Sequence, residues 1–354
     1  MNLFNYLMTK KGHNTSVRDD LFAYLLGKRT PEEVKTATGT TISITDATRE
    51  KIVSLTLSKE STQDGEPTPD NPVEVKTVKG YRNLFDKTLT NIANNRLRTE
   101  ILSTGIRVIC NVRETSLQAN NAARYITIDV TNYIGKKISL FCHAKSSSTN
   151  KGFFYLRLCK QNGDTDSSYG TQISAETLDG DLSVTYEIPS GIGEYHYLMI
   201  AIYGNRNSPC EINDYVDYTN LMLVEGENNY PYVPYGTNWI YTAISNGTDT
   251  NYYTIPLNNN EIAGIGDYKD ELIVDKNGKC WLNKKTAKID SYSGETITTN
   301  YMSTTGGLDT GATVYYVLDT PQLIDLNYTV DIELFEGVNN ISNSEDMDMT
   351  LKYY

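Results

Sequence analysis

The chain has 354 residues, 39% apolar and 21% charged, a size that allows two or three domains and a composition too apolar for a disordered chain. Its 44 acidic residues against 32 basic ones set a net charge of -12, whose long-range field repels nucleic acid, and no apolar run approaches the ~18 residues of a membrane span. Tyrosine outnumbers phenylalanine 27 to 7; that bias suits half-wet pleated surfaces and predicts a mostly β protein.

Residues 1–30 are the exception, predicted as short amphipathic helices. Leu3-Phe4-Asn5-Tyr6-Leu7-Met8-Thr9-Lys10 returns as Leu21-Phe22-Ala23-Tyr24-Leu25-Leu26-Gly27-Lys28, and in each copy an apolar pair recurs four positions later on one helical face. Helices this short are marginal alone. Leu3, Phe4, Leu7, Leu21, Phe22 and Leu25 are therefore expected to form an attachment or oligomer contact, on their own chain or on a larger assembly. The first residues lack the basic lead and apolar core of an export signal.

Residues 37–82 read as a small β unit followed by a proline-rich connector. Ile42 and Ile44, then Val53, Leu55 and Leu57, alternate with Ser and Thr, and the three prolines of Ser61–Val73 remove amide donors and stiffen the chain. Across 83–235, short alternating runs separated by turn residues predict a β-sandwich. Ile126, Ile128 and Val130 are expected on one face; so are Ile138, Leu140 and Cys142, and likewise Leu182, Val184, Tyr186 and Ile188. Phe153–Cys159 and Tyr195–Tyr203 are apolar on both faces, as for central strands covered twice.

Residues 236–354 are expected to form a carboxy-terminal β module, beginning after the Pro-aromatic segment Tyr230–Gly236, which cannot continue a ladder. Asn277-Gly278 between Leu272–Val274 and Lys279–Leu282 is a hairpin signal. Thr313–Leu318, then Leu326, Tyr328, Val330, Ile332 and Leu334, then Met347, Met349, Leu351 and Tyr353 continue the strand pattern.

Sites of reaction chemistry are scarce. The five cysteines show no CxxC pair, and their odd number predicts reduced thiols. The three histidines, His13, His143 and His196, have no metal-ligand spacing, and no nucleophile elbow, phosphate loop or HExxH occurs. Gly163-Asp164-Thr165-Asp166-Ser167-Ser168 reads as a solvated turn, because it lacks the Gly and distal Glu of a calcium loop. No enzyme is expected.

The segment Lys59-Glu60-Ser61-Thr62-Gln63-Asp64-Gly65-Glu66-Pro67-Thr68-Pro69-Asp70-Asn71-Pro72-Val73, followed by Asn83-Leu84-Phe85, resembles the connector of minor tail and baseplate appendage proteins of tailed phages and prophages of Gram-positive bacteria. Leu221-Met222-Leu223-Val224-Glu225-Gly226 with Tyr232-Val233-Pro234-Tyr235 is similar to the closing strand of their carbohydrate-binding-module-like jelly roll. Gly264–Asp270, Leu318–Pro321 and Phe335–Ile341 resemble their carboxy-terminal module. The resemblance implies a virion structural protein of the tail or baseplate, assembled in the host cytoplasm and released by lysis, bound to other virion proteins and to its own copies as a homotrimer. It leaves room for calcium, for which the sequence has no motif, and no other cofactor is expected.

Tyr155 and Arg157 share one side of their strand, and Tyr195, Tyr197, Met199 and Tyr203 share one side of theirs. A sugar needs a flat ring against its C–H face and fixed polar groups for its hydroxyls, so Tyr155, Arg157 and Tyr197 are the candidate saccharide contacts, with host cell-wall glycan as the ligand class. The same surface equally suits contact between protomers. A head-fibre or decoration protein without a receptor role, and a glycan-cleaving tailspike, are the alternatives.

Overall fold

A computed structural model describes residues 32–36, 41–44, 51–57, 75–92, 95–113, 122–149, 151–166, 173–204, 209–295, 302–304, 310–343 and 347–353. The helical segment 1–30, with Leu3, Phe4, Leu7, Leu21, Phe22 and Leu25, and the connector 59–73 lie outside the described residues. Every described element is a strand except one short 3-10 turn at Thr131–Tyr133. The chain divides into two units, Tyr81–Trp239 and a second built from residues 1–80 together with 240–354.

The first unit is a sandwich of two antiparallel five-stranded sheets. One runs Asp179–Glu187, Lys137–Ser146, Tyr215–Glu225, Ile106–Cys110, Leu97–Ile101; the other runs Ile173–Thr177, Gly152–Cys159, Tyr197–Tyr203, Ala122–Asp129, Asn91–Ile92. Apart from the hairpins Leu97–Cys110 and Gly152–Thr177, the chain crosses between sheets at most steps from Ile106 onward, which is a jelly-roll path. Ile138, Leu140, Cys142 and Ala144 meet Phe154, Leu156, Leu158, Leu198, Ile200 and Ile202 in the core, joined by Leu182, Val184, Tyr186 and Ile188.

Two polar groups close this core. Asn83 uses all four of its hydrogen-bonding positions. Its amide donates to the carbonyls of Leu221 and Val233, each at 3.1 Å, and its Oδ1 accepts from Phe85 N at 3.0 Å and Leu223 N at 3.1 Å. A single side chain therefore ties Asn83-Leu84-Phe85 to the closing strand and to Val233, while Tyr81 and Arg82 pair with Trp239 and Asn238. Tyr218 reaches across from the first sheet to the second. Its hydroxyl accepts from Phe153 N at 2.8 Å and donates to Tyr203 O at 2.7 Å, standing between two residues that are ladder partners. Complete burial pushes this phenol well above its ordinary pKa, so the hydroxyl keeps its proton at any physiological pH.

One sequence expectation fails at a bulge. Along Ala122–Asp129 the register against Tyr197–Tyr203 shifts between Leu198 and Met199, leaving Thr127 as the extra residue, its hydroxyl donating to Leu198 O at 3.3 Å. Strict alternation breaks there. Tyr125, Ile128 and Val130 face the core while Ile126 packs on the opposite side, so Ile126 does not share a face with Ile128 and Val130.

In the second unit the small β unit expected at 37–82 does not stand apart from 236–354. Lys51–Leu57 lies between Met347–Tyr353 and Glu271–Val274, Glu32–Thr36 pairs with Met347–Tyr353, Thr41–Ile44 with Gly337–Asn343, and Lys76–Val78 with Ile262–Ile265. Val53, Leu55 and Leu57 are buried with Leu272, Leu282, Met349 and Leu351. The reason is that a strand with one buried face still needs ladder partners on both edges, and here the far end of the chain supplies them.

The Asn277-Gly278 hairpin forms as expected, with Gly278 at φ +78°. Asp275 accepts from Asn277 N at 2.8 Å, Lys279 N at 3.1 Å and Trp281 Nε1 at 3.2 Å. Thr313–Leu318 and the start of the alternation from Leu326 prove to be one strand, Val314–Thr329, which keeps Pro321 through an irregularity, whereas Val330, Ile332 and Leu334 lie beyond its end and outside any strand. Lys284 faces Gln322 and Thr286 faces Val317, so residues 318–321 leave the ladder opposite Lys285. The amides of Lys285 and Thr286 turn instead to the fully buried carboxylate of Asp270, at 2.7 and 2.9 Å. Asp270 also accepts from Ala263 N and Thr286 Oγ1, both at 2.9 Å, and pairs with Lys284 Nζ.

Candidate functional site

The second sheet of the sandwich has an outer side as well as a core side, and period two sorts its residues. Phe154, Leu156 and Leu158 point inward; Phe153, Tyr155, Arg157 and Cys159 point outward, as do Tyr197, Met199, Ala201 and Tyr203 of the neighbouring strand. Register sets them in rows: Phe153 beside Tyr203 and Ala122, Tyr155 beside Ala201 and Arg124, Arg157 beside Met199 and Ile126, Cys159 beside Tyr197. Phe153 and Tyr203 meet edge to face with centroids 5.3 Å apart, and Tyr155 lies 6.1 Å from Tyr203. These rings form a second, smaller apolar cluster with Cys159, Met199 and Ala201.

The face runs into a cleft of about 470 Å³ lined by Lys160, Gln161, Asn162, Glu194, His196 and Tyr197. Two turns build it. The first follows Gly152–Cys159: Lys160 N donates to Asp164 O and Gly163 N to Lys160 O, both at 2.9 Å, with Gly163 at φ +90°. The second precedes Tyr197–Tyr203, where Tyr195 N donates to Ile192 O at 2.9 Å.

Lys160 and Glu194 join across the cleft at 2.7 Å. Their hydrogen bond holds the Glu194 carboxyl below its ordinary pKa and the Lys160 ammonium above its own. His196 Nδ1 lies 3.0 Å from Gly193 O and must donate to it, since a carbonyl only accepts. Its Nε2 lies 3.5 Å from Asp129 Oδ2. The Thr131 hydroxyl and amide hold Asp129 below the usual carboxylate range. The imidazole sits beside the Tyr197 ring, 4.8 Å between centroids.

Tyr155, Arg157 and Tyr197 are thus brought onto one face. Tyr155 is only 8% exposed, while Arg157 and Tyr197 are half-buried. Tyr195 leaves this group: it belongs to the turn and packs against the main core, because the strand, and with it the alternation, begins only at Tyr197. Arg124 joins the face from the neighbouring strand, unanticipated from the sequence. Its signal was the alternation Ala122, Arg124, Ile126, which the bulge at Thr127 disguises. Lys160, Asn162, Glu194 and His196 come from turns, which carry no periodicity.

Among the described residues no group of three or more His, Cys, Asp or Glu side chains is placed to hold a metal ion, and no helix is long and apolar enough to cross a membrane. All five cysteines are unbridged and buried. Burial pushes the thiols of Cys159 and Cys280 up to about 12.

No family model matches the chain, and no curated protein matches it. Among solved structures it is similar to the enzymatically active domain of tailspike protein 4 of bacteriophage CBA120, at 13% identity and TM-score 0.24, over 51% of this chain and 20% of that one. A CBM4 structure matches at 10% identity and TM-score 0.27, over 48% of this chain and 96% of that one. The CBM22-1 xylan-binding domain of Paenibacillus barcinonensis Xyn10C matches at 10% identity and TM-score 0.24, over 50% and 94%.

Proposed function

We propose that the sandwich binds saccharide through its outer face, and that the chain is a tail or baseplate appendage protein of a phage particle that contacts host cell-wall glycan without cleaving it. The observation that carries the binding reading is Tyr197. Its half-buried ring borders a cleft furnished with donors and acceptors from Lys160, Gln161, Asn162, Glu194 and His196, on the face that also carries the half-buried Arg157 and the buried ring of Tyr155. A ring for the sugar's C–H face and fixed polar groups for its hydroxyls are what saccharide recognition needs. The virion role is supported by the connector at 59–73 and its resemblance to phage appendage proteins.

A single shallow site with wet hydrogen bonds binds in roughly the millimolar to micromolar range after ordering costs. Useful attachment then depends on many linked copies, such as a homotrimer, for which avidity adds ~10² or more. The test is binding of the full chain to purified cell-wall polysaccharide of Gram-positive hosts. Retention that falls about tenfold in Tyr197→Ala supports the reading. Retention unchanged in Tyr197→Ala overturns it, and release of new reducing ends would instead favour a glycan-cleaving tailspike.

A further inference from the structure

Two arginines on the outer face stand out from the others. The Nε atoms of Arg124 and Arg157 are both buried, and neither has a hydrogen-bond partner. Arg107 shows what a satisfied guanidinium looks like in the same sandwich: its Nε and Nη2 grip the two carboxylate oxygens of Asp217 at 2.6 and 2.8 Å, and it stacks 3.9 Å from the Tyr215 ring. Arg98 is bonded to Asn111 at 2.8 Å and Arg113 to Glu211 at 2.9 Å. A buried guanidinium N–H without an acceptor is uncommon in a folded protein, because desolvation removes its water and nothing replaces it. Two on one face point to a ligand that brings the acceptors.

Register places them on either side of one strand. Arg157 lies beside Met199 and Arg124 beside Ala201, two residues further along, so they stand diagonally across Tyr197–Tyr203 with the small side chain of Ala201 next to Arg124. Three carboxylates from the strands and turns of this sheet have other partners. Glu176 is bonded to Lys151 at 2.9 Å, Glu194 to Lys160 at 2.7 Å, and Asp129 to Thr131 N at 2.9 Å. Among the described residues no acid pairs with Arg124 or Arg157.

We propose that this face takes an anionic saccharide, a sugar bearing a carboxylate or a phosphate, whose oxyanion is gripped by Arg124 and Arg157 while Tyr197 and the adjoining cleft hold the ring. This rests on the saccharide reading above and names the class of sugar. The guanidinium fork matches both oxyanions in two-point geometry, as Arg107 does with Asp217. The chain's net charge of -12 repels anions at long range, so selectivity comes from these short contacts rather than from the overall field.

The test is titration of the ¹⁵N-labelled full chain, observing the Nε–Hε resonances of Arg124 and Arg157, assigned by Arg124→Gln and Arg157→Gln. Probes are methyl glucuronoside, glucose 1-phosphate, methyl glucoside and inorganic phosphate. One charged sugar should move both resonances and bind at least tenfold more tightly than methyl glucoside, with either Gln variant losing about tenfold for the charged sugar and nothing for the neutral one. Which charged sugar does so separates carboxylate from phosphate. If neither moves the arginine resonances while methyl glucoside still perturbs Tyr197, the charge assignment falls and the saccharide reading survives. If no sugar perturbs the face, both fall. Binding of inorganic phosphate as tight as that of glucose 1-phosphate also overturns the proposal, since the sugar then contributes nothing. Unchanged melting temperatures confirm that the Gln variants are folded.

Discussion

Replacing Tyr218 by Phe removes one oxygen from the interior of the sandwich and leaves its volume nearly unchanged. That oxygen accepts from Phe153 N at 2.8 Å and donates to Tyr203 O at 2.7 Å. Both backbone groups belong to buried residues of a central pair of strands. Each buried polar group left without a partner costs ~1–3 kcal/mol. Partial closure of Phe153 toward Tyr203 recovers part of this, so the expected loss is about 2–4 kcal/mol. For a unit of this size a kilocalorie shifts the melting temperature by ~2–4 °C, which predicts a fall of roughly 5–15 °C. The assay is urea and thermal unfolding followed by circular dichroism, with Tyr235→Phe as control: Tyr235 is exposed, and its hydroxyl should contribute within ~0.5 kcal/mol. A Tyr218→Phe variant as stable as the control would refute the view that this hydroxyl completes the ladder.

Asp270→Ala strips a half-buried lysine and three backbone amides of their buried acceptor; a loss of ~3–5 kcal/mol in urea unfolding is expected, as when one partner of a buried pair is removed, and a loss below ~1 kcal/mol would show that the Lys285–Thr286 irregularity needs no anchor. Asp275 is held below its ordinary pKa, burial opposing and the Asn277, Trp281 and Lys279 donors prevailing. Its stabilisation is therefore present above the unfolded carboxyl pKa of ~3.9 and lost as pH falls through the lower folded value. Asp275→Asn should accordingly lose less stability than the parent between pH 6 and pH 3, read from Trp281 fluorescence; equal losses would contradict this. Cys159 and Cys280, pushed up to about 12 by burial, should resist a thiol reagent at pH 8 in the folded protein and react at once in denaturant, so rapid native labelling of either would place them wrongly.

Local alternation was enough to read several faces from the sequence. Ile138, Leu140 and Cys142, and Leu182, Val184, Tyr186 and Ile188, line the core because a pleated strand must send alternate side chains to opposite sides whatever lies beside it. The same rule put Tyr155 with Arg157, and Asn277-Gly278 marked its hairpin because that turn demands positive φ. Reading failed where geometry depends on a distant neighbour. Thr127 bulges because of its pairing with Leu198 and Met199; Arg124 gains its place from Ala201; Pro321 survives inside a strand because Asp270, from another part of the chain, takes the amides left behind. Lys51–Leu57 looked like a separate small unit because its hydrophobic pattern is local, whereas its partners at Glu271–Val274 and Met347–Tyr353 are hundreds of residues away. Asn83 shows the division most clearly: nothing in its own neighbourhood says that it will join the segment entering the sandwich to the closing strand and to Val233, since a side chain's hydrogen-bond partners are settled only when folding has removed the water that would otherwise serve.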